Sequence, residues 1–166
     1  LFSYYTGLKR ETDRNILHRP KLGVRRTLSL YVMKFGGSSV GDTERMKRVA
    51  KRIADKQDEG HRCVVVVSAM GDTTDELIDQ AKLLNGQPPA REMDMLMTTG
   101  EQISVALLSI ALNGIGREAV SYTGWQAGFR TDDTHGRARI NEIIPQRVLE
   151  SLDREQIVIV AGFQGM

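Results

Sequence analysis

The sequence predicts an α/β fold, a three-layer α/β/α sandwich around a mainly parallel sheet. Three observations lead there. From Thr27 onward the pattern alternates between strand and helix, as in sheets covered by helices on both faces. The run Cys63-Val64-Val65-Val66-Val67 is continuously apolar and rich in β-branched residues, which suits a parallel strand buried on both faces. The glycine turn Gly36-Gly37 closes one predicted strand just ahead of a predicted helix.

The elements follow in order. Leu28 to Lys34 reads as a strand, closed by Gly36-Gly37-Ser38-Ser39. Asp42 or Thr43 caps the next helix. Met46, Val49, Ala50, Ile53 and Ala54 recur at helical spacing and give it one apolar face, and Gly60 ends it. After the valine run, Asp75 to Leu84 is a short amphipathic helix with Leu77, Ile78, Ala81 and Leu84 on one side. Asn85-Gly86 and Pro88-Pro89 mark a loop. Ala90 to Asn113 is a long helical stretch, with a kink or break expected at Thr98-Thr99-Gly100. Glu118 to Tyr122 is a strand, and Thr123 to Ile140 an excursion that could hold a hairpin. Pro145 to Leu152 is a short helix with proline near its first turn, and Gln156 to Ala161 is a last buried strand.

A chain of 166 residues suits one domain, given roughly 100–200 residues per domain. Apolar residues at 40% and charged residues at 27% are ordinary for a soluble globular protein. No apolar run approaches the ~20 residues needed to span a bilayer, so no membrane partner is expected. The single cysteine, Cys63, excludes an internal disulfide and reads as a buried, inert thiol, in keeping with a reducing, cytoplasmic setting. The net charge of +2 hides an asymmetry. Residues 1–26 hold 7 Lys/Arg against 2 Asp/Glu, leaving 16 basic and 19 acidic groups in residues 27–166. The body therefore gives no case for nucleic-acid binding. The basic leader, residues 1–26, begins with Leu1 and lacks a signal-peptide core. It is expected to be disordered or poorly packed, either a transit peptide or sequence translated ahead of the true start.

Chemistry in such folds sits beyond the carboxyl ends of the strands. Lys34-Phe35-Gly36-Gly37-Ser38-Ser39 has the makings of a phosphate site. Two glycines let the backbone approach a ligand, and successive N–H groups form an anion nest. The dipole of the following helix points at the same spot. The lysine precedes the glycines, so this is not the P-loop pattern, and a plain tight turn is the competing reading. Ser68-Ala69-Met70-Gly71-Asp72-Thr73-Thr74-Asp75 is a hydroxyl-rich turn that also reads as an ordinary helix cap. Glu101 stands beside Gly100 in an apolar helix, where a carboxylate needs a partner: a substrate ammonium, an arginine or water. His18, His61 and His135 lack metal-ligand spacing and read as surface residues. Phe129 to Arg137 reads as a solvated loop. The methionines between Met93 and Met97 read as core filler.

Together these segments resemble the amino acid kinase family, and within it the aspartate kinases. Lys34-Phe35-Gly36-Gly37-Ser38-Ser39-Val40, Val67 to Asp75, Thr98-Thr99-Gly100-Glu101 and Gly162-Phe163-Gln164-Gly165 carry the resemblance, which covers about residues 28 to 166. Ser38 stands where the family more often has threonine, and keeps the hydroxyl. The resemblance implies ATP-dependent phosphorylation of the L-aspartate β-carboxylate to 4-phospho-aspartate, the first step of lysine, threonine and methionine biosynthesis. It implies Lys34 as the catalytic residue on the transferring phosphoryl group. Phe35, Gly36, Gly37 and Ser68 would lie with Lys34 near the nucleotide, and Ser38, Ser39, Thr74, Glu101 and Phe163 around the amino acid. Glu101 would pair with the substrate ammonium. Members of the family use the region of Phe129 to Arg137 near the substrate pocket, so the resemblance sets that against the solvated-loop reading. Mg²⁺ would accompany ATP, and no protein metal ligand is assigned. The nucleophile, with a pKa of about 3.9, is ionised at neutral pH, so no general base is required.

In the family a second glycine-rich motif, the nucleotide pocket and regulatory domains follow, and the whole enzyme is oligomeric. Residues 27–166 thus correspond to a truncated, N-terminal part of the kinase domain. The expectation is a weakly stable, inactive polypeptide whose last strand exposes an apolar edge or face. The alternatives are a kinase for another amino acid, a non-catalytic module binding an amino acid or phosphate, and a Rossmann dinucleotide binder. The last is disfavoured because Gly36-Gly37 lacks the spaced glycine pattern.

Overall fold

A computed structural model describes residues 29–162. The leader (residues 1–26) and Phe163 lie outside the described residues. The elements are β1 (Leu30–Phe35), a 3-10 turn (Gly37–Ser39), α1 (Thr43–Asp58), β2 (Arg62–Val67), α2 (Thr73–Leu84), α3 (Ala90–Gly114), β3 (Ala119–Tyr122), β4 (Phe129–Thr131), β5 (Ile140–Ile143), α4 (Gln146–Asp153) and β6 (Ile157–Ala161). The main sheet runs β1-β2-β6-β3 with every pair parallel, and β4 and β5 form a separate antiparallel hairpin.

Side-chain alternation along the strands divides the core in two. Cys63, Val65, Val67, Ile157, Ile159 and Ala161 face α1 and α3, meeting Val49, Ile53, Leu108 and Leu112. Val158 and Val160 face the other way, toward Leu152 of α4, Ala127 and Phe129. Helices on both faces of a parallel sheet make the predicted sandwich. The last strand departs from expectation. β6 is no exposed edge: it lies between β2 and β3, and all five of its residues are buried. The exposed apolar strand is β1 at the opposite edge, where Val32 is 67% exposed.

Helix ends follow the local chemistry. The Asp42 side chain accepts from the Arg45 backbone N–H at 2.7 Å, capping α1. At its other end the His61 N–H donates to Lys56 O and the Gly60 N–H to Gln57 O, with Gly60 at φ 89°. That pairing is the Schellman motif, and the positive φ is why a glycine stands there. The expected break in the long helix does not occur: α3 runs unbroken from Ala90 to Gly114. The Thr98 and Thr99 hydroxyls donate to the carbonyls of Met95 and Leu96 inside the helix. α3 is the one described helix long and apolar enough to cross a membrane, but its stripe of Glu101, Ser104, Val105, Leu108 and Leu112 is buried against the sheet. The methionine expectation fails: Met93, Met95 and Met97 belong to neither core, and Met95 is exposed. His61 is half-buried rather than superficial, stacked 4.5 Å from the Tyr31 ring.

Candidate functional site

Four segments meet at the carboxyl end of the sheet, three of them around Ala69. The first is the turn after β1. Phe35 points into the core, so Lys34 emerges on the opposite face and is exposed. A Cβ on Gly36 would meet nothing within 4 Å, so that backbone is open to an approaching ligand. Gly37 is different. A Cβ there would lie 2.6 Å from Ala69 O and 3.1 Å from Gly71 O. No side chain fits, and the two turns lock through Ser68 N–H to Phe35 O at 3.2 Å and Gly71 N–H to Gly37 O at 3.1 Å. Arg45 steadies the same turn by donating to Ser38 O at 2.8 Å. The helix dipole expected at this turn is already answered: Asp42 caps α1 and pairs with Arg45 at 3.2 Å.

The second segment, 68–75, enters α2 with no side-chain cap from Asp72. Among the described residues the N–H groups of Thr74 and Asp75 have no acceptor outside the helix, so they remain as donors for an anionic group. The third segment is the middle of α3. A Cβ on Gly100 would lie 2.9 Å from the Ala69 Cβ and 3.7 Å from Thr73 Cγ2. Gly100 is therefore a close-approach glycine rather than a kink, and it brings the neighbouring Glu101 to the turn. Glu101 is only 7% exposed, and no arginine, lysine or histidine pairs with it among the described residues. Burial pushes its carboxyl pKa up, while the backbone N–H groups of Glu101 and Ala69 pull it back. A buried carboxylate without a counter-charge is a place for a ligand cation. The fourth segment is the end of β6, where Gly162 N–H donates to Val67 O at 2.9 Å.

The structure thus brings Gly37, Ser68, Thr74 and Glu101 to one end of the sheet, with Lys34, Gly36, Ser38 and Ser39 on the adjoining turn. Phe35 can offer only backbone to a ligand there, because its side chain lies in the core with Arg52 over the ring at 5.8 Å. For residues 129–143 sequence reading allowed a hairpin but gave no sign of what its tip would contact. They form a hairpin, and its tip reaches α3: Asp94 Oδ2 accepts from Gly136 N–H at 2.9 Å and lies 3.2 Å from His135 Nδ1. No local signal linked residues 41 positions apart. Cys63 is buried and burial raises its thiol pKa, as an inert thiol requires. The described residues hold no group of three or more His, Cys, Asp or Glu that could bind a metal.

Comparison with known proteins places this geometry. The family model described as "Amino acid kinase family" matches residues 29–166. Aspartokinase 2 of Bacillus subtilis (strain 168) is 54% identical over 139 residues, covering 84% of this chain and 34% of that protein. The chain therefore spans about a third of the length of the curated relatives it matches. Among solved structures, aspartate kinase from Synechocystis superposes with a TM-score of 0.70 at 46% identity, over 82% of this chain and 22% of that one. E. coli aspartokinase III in complex with lysine and aspartate gives a TM-score of 0.70 at 23% identity, over 83% and 41%. The family model covers most of the chain and the fold superposes on a solved relative, and the chain belongs to the amino acid kinase family.

Proposed function

We propose that this chain is the amino-acid-binding part of an aspartate kinase. The observation that carries the reading is Glu101: a buried carboxylate with no counter-charge among the described residues, packed against a glycine-tightened turn. An α-ammonium fits the carboxylate. The open N–H donors at the start of α2 fit a carboxylate of the same ligand. The identity to aspartokinases supports aspartate as that ligand.

The chemistry then needs little beyond positioning. The aspartate β-carboxylate is ionised at neutral pH and attacks the γ-phosphorus of ATP. A P–O bond forms to the carboxylate as the bond to the β,γ-bridging oxygen breaks, and ADP leaves. Two anions must be brought together, so cationic and N–H groups lower the barrier. Lys34 supplies an ammonium, and Gly36, Gly37 and Ser38 supply backbone and hydroxyl donors, with Ser39 beside them. Ser68 lies near the nucleotide phosphates and Phe163 shapes the amino acid pocket in this reading. The protein acts in the cytoplasm, as an oligomer, with ATP carrying its magnesium.

The test is aspartate-dependent ADP release by the protein at the full length of its relatives, with and without Glu101→Gln. We expect the substitution to raise the KM for aspartate by about 100-fold, the loss of a buried charge-assisted pair. An unchanged KM would remove Glu101 from the site. ADP release with glutamate but not aspartate would reassign the substrate.

A further inference from the structure

The β4–β5 hairpin raises a physical question. Two-stranded hairpins are marginal in water on their own. β5 is exposed along its whole length, and the tip, residues 132–139, joins neither core. The base is held: Phe129 packs in the second core, and Ile144 N–H donates to Gly128 O at 2.8 Å. The tip is organised from within. Asp132 Oδ1 accepts from the Thr134 and Arg139 N–H groups, each at 3.2 Å, and Asp132 N–H donates to Arg139 O at 3.0 Å. Those backbone donors hold the Asp132 carboxyl below its ordinary pKa range. The shaped tip then presents the Gly136 N–H and the His135 ring to Asp94.

Asp94 is well placed for consequence. It precedes Glu101 by seven positions, so the two lie on one stripe of α3, about 10.5 Å apart along the axis. The hairpin leaves the carboxyl end of β3, the same end of the sheet that carries the site. A tip fastened at Asp94 therefore lies beside the stripe that carries Glu101. The Thr131 hydroxyl, at the end of β4, is buried with no hydrogen-bond partner, as expected of a wall that a ligand completes.

We propose that Asp94 is a positioning residue: by clasping the hairpin tip to α3 it fixes one wall of the amino acid pocket. This rests on the aspartate kinase reading for its functional half and on geometry alone for the clasp. The experiment has two arms, using Asp94→Ala and the conservative Asp94→Asn.

The first arm is amide hydrogen exchange on this chain. In Asp94→Ala the Gly136 amide should lose protection by about tenfold or more, while amides of β2 and β6 stay unchanged. Asp94→Asn, which keeps an acceptor, should recover part of it. Unchanged exchange at Gly136 overturns the clasp, and loss of protection throughout the sheet would assign Asp94 to overall stability instead. The second arm is kinetics at the full length of the relatives. Asp94→Ala should raise the KM for aspartate about tenfold, with a smaller change in kcat and none in the KM for ATP. A freed tip with an unchanged KM for aspartate overturns the positioning role. If the unsubstituted enzyme phosphorylates no aspartate, the kinase reading and the positioning role fall together, and exchange at Gly136 alone decides the clasp.

Discussion

The two halves of α3 are held by different physics. Its C-terminal half lies on the sheet: Val105, Leu108 and Leu112 enter the larger core, and Ser109 and Asn113 donate to Ala119 O of β3. Its N-terminal half has no side chain in either core. It is held at points, by contacts with α2 and by the hairpin tip at Asp94. Glu101 falls at the boundary. Burial isolates its charge, and no side chain of the half that precedes it enters either core. A carboxylate one turn further along, at Ser104 or Val105, would be sealed in the core, and one turn earlier it would be half-buried.

The largest expected effect is on the packed half. Leu108 is fully buried between α1 and the sheet. Leu108→Ala should cost about 2–5 kcal/mol of unfolding free energy, from lost transfer and the cavity left behind. Urea denaturation of this chain measures it. A cost below about 1 kcal/mol would mean that the two halves are not held differently. Next is the boundary between the halves, where Gly100 meets Ala69 of the 68–75 turn. Gly100→Ala gains up to about 1 kcal/mol of helix propensity, but its Cβ would sit 2.9 Å from that of Ala69. Overpacking costs about 1–3 kcal/mol, so the net should be destabilising. Adding Ala69→Gly removes the opposing Cβ and should restore most of the loss. Failure of that rescue would place the strain elsewhere.

Glu101 itself should show the opposite sign. Its folded pKa is raised above the ordinary 4.5 by burial. A carboxyl raised on folding contributes stability below the unfolded pKa, and that contribution disappears as pH climbs through the folded value. The native chain should therefore lose stability from about pH 4.5 upward until Glu101 is ionised. Glu101→Gln lacks that slope and should melt higher at pH 7 while losing aspartate affinity. A lower melting temperature for the variant at pH 7 would show that the folded chain already supplies a cation.

How much of this was legible in the sequence differs along the same helix. The periodicity of Val105, Leu108 and Leu112 and the valine run of β2 name their own burial, because a core face repeats at the helical or strand period. The glycine turns were legible as places where the backbone comes close to something. The separate jobs of Gly36, open to solvent, and Gly37 and Gly100, each closed by Ala69, were not, because close approach is a property of two distant segments. Gly100 read as a kink for that reason. β6 read as an exposed edge because strand order, unlike strand existence, is set by non-local pairing. The Asp94 clasp had no periodic signature at all.

The smallest effect belongs to the exposed start of α3. Arg91 pairs with the adjacent Glu92, and both side chains are more than half exposed. Neighbours one residue apart do not share a helix face, so the pair adds nothing to the i, i+4 lattice that supports helices. Solvent screens it, and ordering two long side chains offsets its attraction. Arg91→Ala should change unfolding free energy by at most about 0.5 kcal/mol and leave exchange at Gly136 untouched. Three residues along, Asp94 contacts the hairpin tip, and its loss should free it. A large effect at Arg91 would mean that this half of α3 is supported by surface charge. A null result there beside a freed tip in Asp94→Ala would locate its support at one carboxylate.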